Sequence, residues 1–153
     1  MIRIFQVLLL PFLLVACGTV SPKKFREDHF LQDYQVAAES SQIYKLLYEK
    51  MDRCYERKQS DSLEEGIFGS FNPQLNAGSL WLAVRDRRNL QSDVVIHLLD
   101  VRAEGSGTKV LLYSKDDLFR SAQELQKNLP KWLAGKTGRC RGNAFKGEFW
   151  REI

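Results

Sequence analysis

Apolar residues along this chain follow three different rhythms. From Ile4 to Val15 they form a run of twelve residues with Pro11 inside it, whereas a membrane-spanning helix needs roughly twenty. Phe30 to Ala37 reads as a short strand. Ser40 and Ser41, residues suited to a helix N-cap, then precede Ile43, Leu47, Met51 and Cys54, spaced as on one face of an amphipathic helix, with Tyr44, Tyr48 and Tyr55 flanking the stripe. The middle of the chain changes period. β-type stretches at Gly66 to Phe71, Ser79 to Asp86, Asp93 to Arg102 and Thr108 to Ser114 are joined by segments rich in Gly, Asn, Pro and Arg, the pattern of an antiparallel meander. In the longest of them, Val95, His97, Leu99 and Val101 are expected on one face and Val94, Ile96, Leu98, Asp100 and Arg102 on the other.

Ser114 with Asp116 and Asp117 suits a helix start, and Leu118, Ala122, Leu125, Leu129 and Trp132 continue it as an apolar seam. Pro130 should kink or restart this helix near Asn128, and Gly135 suits its C-terminal cap. The order is strand, helix, four strands, helix. It predicts an α+β fold: an antiparallel sheet of four to five strands with the N-terminal and C-terminal helices packed on one face.

The leading run has a basic start at Arg3 and ends in Leu14-Val15-Ala16-Cys17-Gly18, the charge, length and small-residue order of a secretory signal peptide. Leu14 to Cys17 resembles the lipobox of bacterial lipoproteins. That resemblance implies cleavage before Cys17, a diacylglycerol on its thiol and a further acyl chain such as palmitate on the new amine. Gly18, where an Asp would favour inner-membrane retention, implies the outer membrane with the domain in the periplasm. The chain then divides into a signal peptide at 1–16, a polar lipidated tether at 17–28 and a single periplasmic α+β domain at 29–153. The order of elements between Phe30 and Gly135 also resembles, by architecture alone, the helix-grip modules of BamC, a lipoprotein of the outer-membrane barrel assembly machinery. It implies a binding role.

Cleavage leaves 137 residues, enough for one domain with a modest core. Loss of Arg3 leaves 22 basic residues against 19 acidic ones, a formal +3 that is too small to argue for nucleic acid. With Cys17 acylated, Cys54 and Cys140 remain as an even pair in an oxidising compartment and are expected to form a disulfide. Two buried thiols, or half of a metal site with His29 or His97, are the alternatives; no CxxC or HxxxH spacing supports a metal.

Candidate chemistry is sparse. Gly105 to Lys109 lacks the spacing of a phosphate loop and reads as a hairpin turn, and Gly135-Lys136-Thr137 fails in the same way. His97 is the one titratable residue placed for acid–base work, yet Asp100 should point to the opposite face of the strand and Asp93 is the other nearby acid. Ser70, Ser79 and Ser114 have no nucleophile-elbow setting, and Glu64-Glu65 and Asp116-Asp117 are neighbours rather than a separated acid–base pair. No cofactor is implied. Arg85, Arg87 and Arg88, a second cluster at Lys136, Arg139 and Arg141, and the aromatic tail with Phe149 and Trp150 are candidate contacts for a partner or an anionic group. The expected role is a non-enzymatic interaction or assembly module of the cell envelope, with the sheet edge and the tail as contact surfaces. A carrier of a lipid or other apolar small molecule is the alternative, and an envelope hydrolase the third reading.

Overall fold

The computed structural model describes residues 22–55, 58–59, 61–88, 93–115 and 121–138. The chain is an α+β protein. In order, its elements are α1 (Pro22–Asp28), β1 (Phe30–Val36), α2 (Ser40–Cys54), β2 (Lys58–Gln59), β3 (Leu63–Asn72), β4 (Ala77–Asp86), β5 (Asp93–Glu104), β6 (Gly107–Ser114) and α3 (Ser121–Leu133). All strands pair antiparallel in the order β1-β6-β5-β4-β3-β2. The meander β3 to β6 is the expected one. β1 closes it on the β6 side, and the two-residue β2 adds a sixth strand beyond β3.

Turn chemistry sets the register. Between β3 and β4, Asn72 Oδ1 accepts from the backbone amides of Gln74 and Leu75 at 3.0 and 3.3 Å, and Asn76 takes a positive φ of 46°. Both are habits of asparagine in turns. Between β5 and β6, Glu104 pairs with Gly107 across a two-residue loop whose Gly105 has φ +60°, a conformation that suits a residue without a Cβ.

α2 and α3 share one face of the sheet. Ile43, Leu47 and Met51 of α2 and Leu125, Leu129 and Trp132 of α3 are buried against Ile67, Leu80, Leu82, Leu99, Val101, Val110 and Leu112. The α2 stripe is the one its spacing predicts. Tyr44 lies over Gly69 and Gly78, where an added Cβ would come within 2.6 Å of its phenol oxygen and 2.9 Å of its ring, respectively. Those glycines let the helix seat beside Phe71, whose ring centroid is 5.1 Å from that of Tyr44.

Several local expectations are corrected. Glu39, not a serine, is the N-cap residue of α2, and Ser40 is buried in the first turn. Ser114 ends β6 and is buried, so it does not cap the last helix; Asp116, Asp117 and Leu118 lie outside the described residues. α3 runs through Pro130 to Leu133. The proline sits in the final turn, where Gly135 donates to Trp132 O and Lys136 to Lys131 O at 2.9 and 2.8 Å. With φ +72° at Gly135, this is the paired closure of a Schellman cap.

In β5, Leu82 pairs with His97 and Ala83 with Val95, leaving Ile96 as an inserted residue. The bulge breaks strict alternation. Ile96 therefore joins the helix-side core with Leu99 and Val101, while Val95 packs with Leu98 on the other side.

The largest departure is α1. Residues 22–28 were to be part of a polar tether, but they form a helix whose Phe25 is only 2% exposed, buried against Leu98 and Tyr113 with Trp81, Val95 and Leu111 around it. That packing lies on the face away from α2 and α3, so α1, from Pro22 on, belongs to the domain and the sheet is covered on both sides.

Candidate interaction site

The α1 side of the sheet carries a polar network that ties the helix to β4 and β5. Strand alternation puts Asp100 next to Leu98 on this face, an acid in apolar company. Arg26, the residue after the Phe25 anchor, meets it with two bonds: Nε to Oδ2 at 2.6 Å and Nη2 to Oδ1 at 2.8 Å. Nη2 also donates to Ser79 Oγ at 3.1 Å, and Ser79 Oγ donates to Asp100 Oδ1 at 2.6 Å. The fork geometry fixes the helix in register as well as in place. The Asp100 hydrogen bond raises the Arg26 pKa, so the guanidinium stays charged. Burial, with the Asp100 charge adding to it, also raises the Tyr113 phenol.

Beside this network the sheet face opens into a groove of about 310 Å³ whose walls include Ser70, Asn72, Ser79, Asp100, Arg102 and Tyr113. Its lining combines hydroxyl, amide and charged groups with one aromatic wall. Such a surface offers hydrogen bonds to a partner without enclosing a substrate.

His97 is placed differently. It faces the helix-side core, is fully buried, and its Nδ1 lies 2.6 Å from Ser114 Oγ, its cross-strand neighbour. Burial lowers its pKa to about 3, so the imidazole is neutral. The Tyr55 ring stands 6.3 Å away, and burial raises that phenol too. His97 and Asp100 do point to opposite faces, as the alternation predicts. Serine and histidine are in contact here, but both are sealed in the core, 2% and 0% exposed, away from the groove.

The basic turn at the end of β4 is engaged within the fold. Arg85 stacks over the Phe68 ring at 4.0 Å and sits opposite Glu64 in the ladder. The Arg88 amide donates to Asp86 Oδ1 at 2.9 Å, and the Arg87 amide donates to Ser62 O at 2.9 Å. Along β4, Ser79 and Arg87 are eight residues apart, roughly 27 Å at strand rise. The structure does not bring the basic turn and the groove together.

Cys54 is disulfide-bonded. Cys17, Cys140, Arg139, Arg141, Phe149 and Trp150 lie outside the described residues. His29 stacks on Phe25 with centroids 4.7 Å apart. Among the described residues no group of three or more His, Cys, Asp or Glu could hold a metal, and no helix is long and apolar enough to cross a membrane.

The sequence reading missed Phe25, Arg26, Ser79 and Asp100 as a unit. Asp100 alone carried a signal, as a carboxylate on a strand face otherwise apolar up to that point. No protein-family model, curated protein or solved structure matches the chain. What its own residues define is an antiparallel α+β domain whose accessible polar groups line an open surface.

Proposed function

We propose that this chain is a bacterial lipoprotein, acylated at Cys17 and held at the periplasmic side of the outer membrane, whose α+β domain is an interaction or assembly module of the cell envelope. The observation that carries the binding role is the open groove beside Asp100. Its polar walls are accessible, whereas the Ser114–His97 pair is enclosed. Two further features support it. β1 ends the sheet, with Gln32, Asp33 and Gln35 exposed along it, and an edge strand can accept a partner strand. Trp132 is 1% exposed and packed among Leu125, Leu129 and the sheet, which favours a filled core over a carrier's ligand chamber.

Site-specific photo-crosslinkers at Gln32 and Asn72, with Glu49 as a control on the outer side of α2, test this in intact cells. Defined protein adducts from Gln32 or Asn72 and none from Glu49 are expected. Absence of adducts at both sites, together with lipid extracted from the purified protein, would replace the module with the carrier. The anchor is tested separately: Cys17→Ala should leave the membrane fraction and lose palmitate labelling.

A further inference from the structure

A docked α1 leaves little chain between the acylated cysteine and the folded domain. Pro22 opens α1, and Cys17 is five residues before it. An extended chain covers at most about 3.6 Å per residue, so Cys17 lies no more than about 18 Å from the start of α1, whatever path those residues take. Were α1 undocked, the chain would leave the domain at Phe30, thirteen residues from Cys17. The limit would then be about 47 Å.

We propose that while no partner is bound the α1 side of the domain faces the phospholipid headgroup layer, held there by this short span with α1 as the clasp, and that a partner takes the groove on the same side when the clasp is released. The proposal rests on the reading of Cys17 as the lipidated residue. Its own support is independent of that reading. Phe25 and Arg26 fasten α1 to Leu98, Tyr113, Ser79 and Asp100, so the point where the chain emerges is fixed on one face of the sheet. α2 and α3 occupy the opposite face. A domain tethered within about 18 Å at one face cannot turn its far side to the same bilayer without releasing the clasp. Lys23 is exposed on α1 and suits anionic headgroups.

α1 has seven residues, too few to persist as a helix alone. Release therefore unfolds it. The same event lets out the segment 22–29 and uncovers the strip at Leu98, Trp81 and Leu111 next to the groove. Anything that binds that strip draws the domain away from the bilayer, because binding and docking of α1 exclude each other.

The test uses full-length acylated protein purified from membranes and reconstituted in phosphatidylethanolamine–phosphatidylglycerol vesicles with a headgroup-linked acceptor dye. A donor is attached at Ser70→Cys, exposed on the α1 side of the sheet opposite Ser79, or at Glu49→Cys on α2. Strong energy transfer from position 70 and weak transfer from position 49 are expected. The contrast should disappear in Phe25→Ala/Arg26→Ala. A Gly-Ser segment as long as α1, inserted between Ser21 and Pro22, should also remove it while leaving every domain residue intact, so the result stands even if the double variant misfolds. Equal transfer from the two positions in acylated parent protein overturns the orientation and leaves the anchor standing. A contrast that survives the insertion overturns the short tether as its cause. An unacylated Cys17 by mass spectrometry overturns the anchor and the orientation together.

Discussion

His97 shows how one buried side chain couples stability to pH. The unfolded imidazole titrates near 6.5, while burial lowers the folded value to about 3. A base whose pKa falls on folding stays neutral in the native state as the unfolded chain takes up its proton. Its contribution is complete above pH 6.5 and shrinks as pH falls from there toward 3, by about 1.4 kcal/mol per pH unit. His97→Gln keeps a neutral hydrogen-bonding group beside Ser114 and removes that titration. Urea denaturation across this range should give the variant a flatter slope by about that amount; parallel slopes for the two proteins would refute the assignment. Gly78 poses a steric counterpart. A Cβ there would meet Ser70 O at 2.6 Å, the Phe71 ring at 2.8 Å and the Tyr44 ring at 2.9 Å, so Gly78→Ala should destabilise by about 1–3 kcal/mol. Pairing it with Tyr44→Ala should recover part of the loss in a double-mutant cycle, since only one of the three obstacles is removed.

Among elements, α1 should respond to mutation unlike any other helix. A buried Phe→Ala change ordinarily costs about 3–5 kcal/mol, but that figure assumes the site has to stay folded around the cavity. α1 can detach, so Phe25→Ala should lower the global melting transition by less than Leu129→Ala does in α3. Hydrogen exchange should show the difference directly, with rapid exchange at 23–28 and little change in β4 to β6. Uniform loss of protection across the sheet would mean that α1 belongs to the cooperative core. The same property explains why α1 is not legible in the sequence. The α2 and α3 seams can be read because several apolar residues recur at helical period, but a seven-residue helix with one buried side chain has no period to detect. Its helicity comes from the contact with Leu98 and Tyr113. The swap of Val95 and Ile96 escapes for a related reason: counting alternate residues assumes an unbroken ladder, and the bulge opposite Leu82 is set by the paired strand. The meander was legible because Asn72-Pro73, Asn76 and Gly105 mark turns by their own backbone preferences. The candidate site was not, because Arg26, Ser79 and Asp100 are brought together only by the sheet.

At the scale of the whole molecule, the topology makes the disulfide at Cys54 consequential. β1 pairs with β6, and partners such as Tyr34 and Val110 are separated by most of the domain, so the sheet closes only after a long loop has been brought together. A bond from the end of α2 to Cys140, the expected partner, would shorten that search in the unfolded chain. A loop of roughly 85 residues corresponds on the chain-entropy model to about 4–5 kcal/mol, with engineered examples often giving less. Cys54→Ser, or reduction before denaturation, should therefore lower stability by a few kcal/mol while leaving the folded spectrum native. Digestion without reductant should release one species joining the peptides that carry Cys54 and Cys140. The cellular version of the measurement reaches further, because such bonds persist where the compartment is oxidising and are rare in the cytosol. Alkylation of intact cells under denaturing conditions should find Cys54 blocked. Complete alkylation of Cys54 in the native host would place the domain in a reducing compartment, and the periplasmic address would fall on chemistry independent of the acyl chain.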